Sequence, residues 1–591
     1  MRNLLRLLPF LRPYRGWSAT ALVLLLGMVA SDLLIPRLTQ RIIDDGIGRG
    51  DLHTVVTTSL LMVGAALLAA LFALGNNFLS VRVGQSFAHD VRSALVRKVQ
   101  GFSFSNLDAL RTGNLITRST SDVQMTQTIV MMSLRILTRA PIWIVGSVAL
   151  LIVTSPRLAL MMAAFVPVIV LFVAWFARIA GPLFTRVQQS LDRLNSVLQE
   201  NLAGVRVVKA FVREQREIER FDGANLQLMR RTTRVMRLVA FLLPTMVLIL
   251  NLAVAGALWL GVGATLAGDM TVGQVVASIN YLMFAMFPLM MLATLLGPIA
   301  AANASAGRIL EVLDTAPGIS ESPDAKALRD PRGRIAFENV FFGYDRRSAE
   351  PVLSGVSFVA EPGETVAILG ATGSGKSTLI HLIPRFYDVT RGRITFDGLD
   401  LREIQLESLR ANIGIALQEA VLFGGTIREN IAFGRPDAPV DELHAAAAAA
   451  QATEFIDALD DGYETIVGQR GVTLSGGQRQ RIAIARALLV QPKVLILDDS
   501  TSAIDIETEV KLQDALDRLI TESTQRATRF IVAQRISTVL LADRILVLED
   551  GHIEACGTHA QLLRTSPIYN EIYASQLGSS PDARSPGGAS Q

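Results

Sequence analysis

Long apolar segments alternate with polar stretches along the first half of the chain. Six of the apolar segments reach or approach the roughly 20 residues with which a helix crosses the hydrocarbon core of a bilayer. They predict six membrane-spanning helices, at about residues 17–35, 55–79, 128–153, 158–176, 238–266 and 272–302. The first segment is longer than the apolar core of a signal peptide, and no obvious small-residue cleavage site follows it. We therefore interpret it as a membrane helix.

Basic residues predict the orientation of these spans. Arginine and lysine are concentrated before the first span, between spans two and three, and between spans four and five. Such residues gather on the cytoplasmic side of a membrane. Both termini and both long connections are therefore expected in the cytoplasm, in a multi-pass membrane protein. Spans two to five should continue as helices, because stretches such as RVQQSLDRLNSVLQENL contain no helix breaker.

The overall composition agrees with a membrane protein. Of the 591 residues, 50% are hydrophobic and only 18% are charged, and the mean hydropathy is +0.39. Part of the chain is therefore expected to be solvated by lipid. The formal net charge of +3 and the dispersed arginines give no basis for a nucleic-acid partner. The single cysteine, Cys556, excludes an intrachain disulfide.

The second half has the composition of a soluble α/β domain, beginning after Ala316-Pro317-Gly318. The tail SSPDARSPGGASQ has the composition of a disordered segment. The expected organisation is a transmembrane domain over residues 1–316, a linker over 317–333, a soluble α/β domain over 334–576 and a disordered tail over 577–591.

A phosphate-binding loop is predicted near the start of the soluble domain. The stretch TVAILGATGSGKSTLI gives a strand, a glycine-rich turn and a helix start in order, and matches G-x-x-x-x-G-K-[ST] over residues 370–377. Its glycines permit a backbone whose N–H groups point at phosphate oxygens. Lys376 should reach the β- and γ-phosphates of ATP, and Ser377 should hold Mg²⁺. The predicted nucleotide-binding residues here are Gly370, Thr372, Gly373, Ser374, Gly375, Lys376, Ser377 and Thr378.

Two adjacent acids end an apolar run downstream of this loop. The run VLIL, residues 494–497, is typical of a strand buried on both faces, although periodicity alone does not exclude a buried helical segment. Acids at the carboxyl end of such a strand face the crevice where open α/β sheets bind ligands. Asp498 is expected to hold Mg²⁺, directly or through water.

A second anion site is predicted just upstream, in LSGGQRQR. A hydroxyl and exposed backbone amides at a helix start can bind an anion. Alone, this motif is a weak signal. Its predicted nucleotide-binding residues are Ser475, Gly476, Gly477 and Gln478.

Together, these motifs resemble the nucleotide-binding domain of the ATP-binding cassette (ABC) family, and the six preceding spans resemble its exporter type. The resemblance extends from the first span to about residue 563. It implies a six-helix α transmembrane domain followed by an α/β P-loop NTPase domain, with ATP and Mg²⁺ as cofactors. It also implies that Tyr344, in FFGYD, stacks on adenine. Gln418 would contact Mg²⁺ and sense the membrane domain.

The resemblance also assigns several connecting segments. VGQRG, residues 467–471, is similar to the loop that touches the intracellular helices. GFSFSNLDALRTGNLITRSTSDV and NLAGVRVVKAFVREQREIERF resemble the two cytoplasmic segments that dock on the ATPase domains. These assignments follow from the family pattern and not from spacing or composition.

Two replacements depart from the family pattern at catalytic positions. Asp499 stands where a hydrolysing site typically has Glu, the base that orients the attacking water, and is one methylene shorter. Gln534, in IVAQRIST, stands where the family usually has a His that contacts the γ-phosphate, and Gln neither titrates nor carries charge. The segment SAID, residues 502–505, also differs slightly from the usual form with Leu.

These departures predict a degenerate site that binds ATP and hydrolyses it poorly. ABC sites form between two ATPase domains, so the intact LSGGQ of this chain would complete the competent site of a different half-transporter. That partner is expected to carry the catalytic Glu and the switch-loop His. The pattern resembles heterodimeric ABC exporters of drugs, lipids or peptides.

The expected function is ATP-driven export of hydrophobic or amphipathic small molecules by alternating access. An ATP-gated channel or regulator and a homodimeric exporter with slow ATPase are the alternatives, and an importer fits poorly. A channel should display fixed charge along its path. The sixth span instead offers a pliable apolar surface, although each side chain could equally face lipid or a neighbouring helix. Its residues are Met283, Phe284, Met286, Phe287, Met290 and Met291.

Overall fold

The computed structural model describes residues 2–110, 112–344, 351–468, 471, 473–500, 506–522, 526–533, 536–540 and 542–577. The chain divides into two compact units. One comprises Met1–Gln100 with Thr112–Thr315, and the other comprises Gly101–Arg111 with Ala316–Gln591. The short segment Gly101–Arg111 thus belongs to the second unit, although it lies early in the sequence. The domain limits proposed above remain a prediction.

The first unit is helical in its described residues. Ser155 caps the helix that begins at Pro156, and Thr271 and Gln274 form a reciprocal capping box at the last long helix. In chain order, the α-helices of this half of the chain are α1 (Arg2–Arg6), α2 (Arg15–Arg41), α3 (Leu52–Gln100), α4 (Phe104–Leu110), α5 (Thr112–Thr117), α6 (Val123–Met132), α7 (Thr138–Thr154), α8 (Pro156–Ala203), α9 (Val205–Ala210), α10 (Glu214–Leu266) and α11 (Val272–Asp314). Of these, α4 belongs to the second unit.

Five helical stretches among the described residues are long and apolar enough to cross a membrane. They are Leu8–Ile47, Leu52–Gln100, Gly113–Thr154, Pro167–Ala203 and Glu214–Leu266. A sixth apolar stretch, Val272–Pro288, is shorter. The predicted count of six spans is therefore not confirmed. The fourth stretch also runs further toward the carboxyl terminus than the predicted span at 158–176.

The long helices confirm that the polar connections continue as helix. Helix α3 has 49 residues, α8 has 48 and α10 has 53. At 1.5 Å per residue each is about 70–80 Å long, more than twice the hydrocarbon thickness of about 30 Å. The stretch RVQQSLDRLNSVLQENL lies entirely within α8.

A buried cluster joins several of these helices. It includes Trp143 and Leu151 of α7 and Tyr281 of α11. The Tyr281 hydroxyl donates a hydrogen bond to the Leu33 carbonyl of α2 at 3.2 Å. Its single polar atom is thereby satisfied inside an apolar environment.

The second unit is built on strands. They are β1 (Ile335–Phe342), β2 (Leu353–Ala360), β3 (Thr365–Gly370), β4 (Arg391–Phe396), β5 (Leu399–Asp400), β6 (Ile413–Ala416), β7 (Gly425–Thr426), β8 (Ile466–Val467), β9 (Val494–Asp498), β10 (Thr528–Val532), β11 (Arg544–Glu549) and β12 (His552–Gly557). Six of them form a sheet in the order β12-β11-β3-β10-β9-β6. Strands β11, β3, β10, β9 and β6 are parallel, and β12 is antiparallel to β11.

Two smaller sheets complete the strands. Strands β2, β1, β4 and β5 form an antiparallel sheet, and β7 pairs with β8. The helices of this unit are α12 (Lys376–Leu382), α13 (Leu406–Ala411), α14 (Ile427–Ile431), α15 (Val440–Ala449), α16 (Thr453–Asp457), α17 (Gly476–Leu489), α18 (Ile506–Glu522), α19 (Ile536–Val539), α20 (His559–Thr565) and α21 (Pro567–Leu577).

The parallel sheet positions the candidate site. Every residue of β9 is buried, which confirms the predicted strand at the VLIL run and excludes the helical alternative. Strands β3 and β9 lie on either side of β10 and run parallel to it. Their carboxyl ends, at Gly370 and Asp498, therefore meet at one edge of the sheet, where open α/β sheets bind ligands.

Candidate active site

The glycine-rich loop connects β3 to α12 in a conformation that needs glycine. Gly370, Gly373 and Gly375 have φ angles of +155°, +89° and +100°. A β-carbon on Gly370 would collide with the carbonyl oxygen of Leu548. The loop is therefore shaped by backbone geometry that side chains would prevent.

Lys376 spans this loop. Its Nζ donates hydrogen bonds to the carbonyl oxygens of Gly370 and Ala371, both at 2.8 Å. Burial lowers the pKa of Lys376, while the charges of Asp499 and Asp498 act in the opposite direction. The ammonium is thus held at the loop carbonyls, within electrostatic range of both acids.

Asp498 lies next to the loop at the end of β9. The Ser377 hydroxyl donates to Asp498 Oδ1 at 3.1 Å. Burial raises the pKa of Asp498; the charge of Asp499 adds to this, while the Ser377 hydrogen bond and Lys376 oppose it. A hydroxyl oxygen and a carboxylate oxygen at this separation are hard ligands of the kind that Mg²⁺ takes from proteins, alongside substrate phosphates. The two residues therefore fit the predicted magnesium site.

His381 was not identified from the sequence. It follows Ser377 by one turn of α12, and its Nε2 lies 3.7 Å from Asp498 Oδ2. Burial lowers the pKa of His381, so the neutral form is favoured. The four-residue spacing on a helix was the signal that could have found it.

Asp499 has a constrained backbone. Its φ is +47°, in the left-handed region that Asp tolerates better than most residues, and its N–H donates to the Val532 carbonyl at 3.0 Å. Its Oδ2 accepts a hydrogen bond from Gln418 Nε2 at 3.2 Å. The side chain is buried. Asp499 is thus held by one hydrogen bond at its backbone and by another at its carboxylate.

Tyr344 lies beside the phosphate loop. Its hydroxyl is 3.0 Å from the Thr378 Oγ1 atom, and the residue is 51% exposed. The ring meets Tyr387 edge to face, with centroids 5.2 Å apart. Burial, and then a hydrogen bond to Asp108, raise the pKa of Tyr387. Tyr387 was also missed from the sequence, because only the fold brings it to Tyr344.

The signature residues form a separate feature at the start of α17. Ser475 Oγ accepts from the Gln478 N–H at 3.2 Å, and the Ser475 N–H donates to Gln478 Oε1 at 2.8 Å. This capping box places Gly476 and Gly477 in the first turn. Ser475 is exposed. The structure thus places Tyr344, Gln418, Asp498 and Asp499 around the phosphate loop. Ser475 and Gln478 instead hydrogen-bond to each other at the start of α17.

Several predicted features lie outside the described residues. They include Gln534, the SAID segment, and Gln469 and Arg470 of VGQRG. Their expected roles remain predictions.

Two family models match the chain. The ABC transporter transmembrane region matches residues 19–289, and the ABC transporter model matches residues 353–502. The first match lies in the helical unit, except for Gly101–Arg111, which belongs to the second unit. The second begins at β2 and includes the phosphate loop, the signature and the paired acids.

Relatives match over most of their length. The uncharacterized ABC transporter ATP-binding protein YfiB of Bacillus subtilis is 43% identical over 572 residues, which are 97% of this chain and 98% of the relative. The ATP-dependent lipid A-core flippase of Desulfotalea psychrophila is 37% identical over 495 residues, covering 84% of this chain and 85% of the flippase.

A solved structure matches both units. The structure of a bacterial Atm1-family ABC exporter with ATP bound has a TM-score of 0.81 and 31% sequence identity, and the match covers 96% of this chain and 99% of that one. The chain therefore belongs to the ABC transporter family, as an exporter half-transporter that joins a transmembrane domain to an ATP-hydrolysing domain.

Proposed function

We propose that this chain is one subunit of a heterodimeric exporter that moves hydrophobic or amphipathic substrates out across the cytoplasmic membrane. Its own phosphate-loop site holds ATP and hydrolyses it slowly. Its signature completes a competent site on the partner half-transporter. ATP draws the two ATPase domains together and opens the transport path outward, and hydrolysis at the partner's site resets it.

The observation that carries this proposal is the environment of Asp499. A general base must come within about 2.6–3.2 Å of the group that it serves, and a misplacement of about 1 Å can cost roughly 100-fold in rate. Asp499 is one methylene shorter than Glu, and its backbone bond to Val532 opposes a compensating shift. Its Oδ2 is also engaged by Gln418. These constraints favour a carboxylate that orients water poorly.

The remaining site residues support ATP binding. In this proposal Lys376 contacts the β- and γ-phosphates, and the loop N–H groups of residues 370–378 surround them. Ser377, Asp498 and Gln418 would hold Mg²⁺, which would neutralise phosphate charge when bound. Tyr344 stacks on adenine; its half-exposed ring beside Thr378 supports that role. Gln534 would contact the γ-phosphate less strongly than a His.

Exposed side chains support the proposal that this chain works together with a second chain. Ser475 is exposed at the start of α17, as it must be if the signature completes an ATP site on a second chain. The cytoplasmic helix α9 and the residues after it expose apolar side chains, among them Val207, Phe211 and Val212. Such side chains are expected to be covered by another protein surface in the assembled transporter.

The relatives support the substrate class. One of them is named a lipid A-core flippase. The exposed Met283 and Phe287 of α11 are suited to an apolar substrate. Amphipathic molecules are therefore the proposed cargo class.

The test is ATP hydrolysis by this chain, purified alone and together with the half-transporter encoded beside it. We expect little activity alone and a sharp rise in the complex, with vanadate-trapped photoreactive ATP found mainly on the partner's phosphate loop. A Lys376→Ala variant of this chain controls for contaminating ATPases. Strong activity of the chain alone that Lys376→Ala abolishes would contradict the heterodimer with a degenerate site.

A further inference from the structure

Two residues of α12 face the same carboxylate. Ser377 and His381 are four residues apart, so both lie on one face of the helix. The Ser377 hydroxyl donates to Asp498 Oδ1 at 3.1 Å, and His381 Nε2 lies 3.7 Å from the other oxygen, Oδ2. Each oxygen of the Asp498 carboxylate therefore has its own neighbour on α12.

The imidazole nitrogen that faces Asp498 is buried without a bond. His381 Nε2 has no hydrogen-bond partner among the described residues. Buried polar atoms are nearly always hydrogen-bonded in folded proteins, so this exception needs a physical reason. A shift of about 0.5 Å would bring Nε2 and Oδ2 into the usual hydrogen-bond range of about 2.7–3.2 Å. His381 is therefore placed to bond Asp498 after a small movement.

The oxygen that faces His381 needs a donor. The Asp498 side chain is buried, and in the described part of the chain its hydrogen bond is the one that Oδ1 accepts from Ser377. A buried carboxylate oxygen without a donor is costly. Imidazole can carry a hydrogen on Nε2 in either protonation state, because the neutral ring has one N–H and the charged ring has two. Nε2 and Oδ2 are therefore complementary.

Phe386 holds the His381 ring in place. The two ring centroids are 5.8 Å apart, and the Phe386 N–H donates to the His381 carbonyl at 3.1 Å. Phe386 in turn stacks on Phe104 of α4, with centroids 4.3 Å apart. A side chain that is already ordered loses less conformational entropy when it forms a bond. The imidazole is thus positioned beside Asp498 in advance.

From this arrangement we infer that His381 is a positioning residue of the magnesium site. Its Nε2–H donates to Asp498 Oδ2 and keeps Oδ1 turned toward Ser377 and the metal. Hydrogen bonds to a metal-binding carboxylate fix its orientation, and their loss typically costs about 10- to 100-fold in metal affinity or activity. The inference rests on the magnesium site of the proposed function and needs neither the partner chain nor the substrate.

Three substitutions separate the positioning role from packing. In His381→Gln the amide nitrogen lies near the place of Nε2, so the donor to Asp498 is retained. In His381→Asn the amide nitrogen lies near the place of Nδ1 instead, and His381→Leu has no donor. A residue that only fills space would tolerate all three substitutions alike, or would respond to their size and not to the position of the donor.

The experiment measures the Mg²⁺ requirement of nucleotide binding by the full chain in nanodiscs of phosphatidylcholine. Mg²⁺ is titrated at a fixed concentration of AMP-PNP, an ATP analogue that is not hydrolysed, and thermal unfolding reports binding. His381→Leu and His381→Asn should each need about tenfold more Mg²⁺ or more. His381→Gln should need nearly as little as the native chain. Equal increases in His381→Gln and His381→Leu would overturn the inference.

Binding of AMP-PNP in EDTA is the control for general damage to the site. It should be the same in all variants, because His381 acts only through a ligand of the metal. A parallel loss of binding in EDTA would overturn the inference. His444→Leu is the matched control, since the His444 ring stacks on Tyr463 with centroids 4.5 Å apart and lies on α15. If His381→Leu fails to fold, the comparison of His381→Gln with His381→Asn decides.

A spectroscopic measurement excludes direct coordination of the metal. Imidazole is a common ligand of transition metals, so His381 must be distinguished from a metal ligand. Mn²⁺ replaces Mg²⁺ as a paramagnetic probe, and electron–nuclear double resonance is recorded on the chain with ¹⁵N-labelled histidine. We expect a weak nitrogen coupling that His381→Leu removes. The strong coupling of a directly bound nitrogen would overturn the positioning role.

Asp498→Asn separates failure of this inference from failure of the proposed magnesium site. If Asp498→Asn raises the Mg²⁺ requirement and His381→Leu does not, the metal site stands and the role of His381 is wrong. If neither variant changes the requirement, the proposed magnesium site fails together with the inference. None of these outcomes depends on the heterodimer, because the measurement uses this chain alone and no hydrolysis.

Discussion

Gln418 Nε2 donates a hydrogen bond to Asp499 Oδ2 at 3.2 Å. The two residues follow adjacent parallel strands: Gln418 comes two residues after β6, and Asp499 comes directly after β9. The contact therefore joins the residue expected to sense the membrane domain to the residue at the position of the catalytic base. A Glu at position 499 would carry its carboxylate one methylene further from the backbone and would have to alter this bond.

The first prediction concerns that missing methylene. Asp499→Glu should raise ATP hydrolysis at this chain's own phosphate loop by about tenfold to 100-fold, because a displacement of about 1 Å has effects of that size. Adding Gln534→His should raise it further by restoring a group that can carry charge beside the γ-phosphate. Site-resolved trapping of nucleotide in the complex would measure the change.

Asp499→Asn is the matched control for this prediction. It keeps the length of the side chain but removes the charge, so hydrolysis should not rise. If the native complex already turns over ATP at this site at the partner's rate, the degenerate assignment is wrong.

The second prediction concerns the magnesium ligands. Ser377→Ala and Asp498→Asn should each raise the Mg²⁺ concentration needed for ATP to stabilise the protein by about tenfold or more, since even indirect support of a metal ligand has effects of that order. Thermal unfolding with ATP over a Mg²⁺ titration measures this. Asp400→Asn is the control, because Asp400 lies at the end of β5, in a different sheet, and pairs with Arg402 just after it. An unchanged Mg²⁺ requirement in Asp498→Asn would remove Asp498 from the metal site.

The third prediction separates the ring of Tyr344 from its hydroxyl. Tyr344→Ala should weaken ATP binding by about tenfold or more, because stacking of a base on an aromatic ring contributes about 1–3 kcal/mol. Tyr344→Phe loses only the contact with Thr378 Oγ1 and should bind ATP nearly as well. Calorimetric titration distinguishes them. Equal losses in both variants would show that the hydroxyl, and not stacking, supports binding.

Much of the site could be predicted because its signals are local in sequence. The order of strand, glycine turn and helix predicted the loop from β3 to α12, and an apolar run ending in two acids predicted β9. The spacing of Ser475 and Gln478 is that of a capping box, which the structure forms. Such motifs depend on neighbours within a few residues.

The missed residues depend on contacts between distant parts of the chain. Tyr387 reaches Tyr344 only because β1 and the segment after α12 come together in the fold. The assignment of Gly101–Arg111 to the second unit also required long-range contacts, such as the stacking of Phe104 on Phe386 with centroids 4.3 Å apart. No periodicity in either segment encodes its partner.

The last prediction concerns how α4 is held in the second unit. Tyr387 donates a hydrogen bond to Asp108 Oδ2 at 2.8 Å, and its ring also meets Tyr344. This contact therefore links α4 to the expected adenine position. Tyr387→Phe and Asp108→Asn should each reduce the stimulation of ATP hydrolysis by an amphipathic substrate about fivefold, the effect of roughly 1 kcal/mol for one hydrogen bond. ATP binding itself should change little.

A double-mutant cycle decides whether the two residues act through their shared bond. The double variant should lose no more stimulation than either single variant, because the same bond is already absent. Burial raises the pKa of Tyr387, and so does its bond to Asp108, so the phenol stays protonated and able to donate across neutral pH. The loss in Tyr387→Phe should accordingly be the same at about pH 6.5 and pH 8.5. Additive losses in the double variant would mean that Tyr387 and Asp108 contribute independently, and the proposed link from α4 to the adenine position would then have to be abandoned.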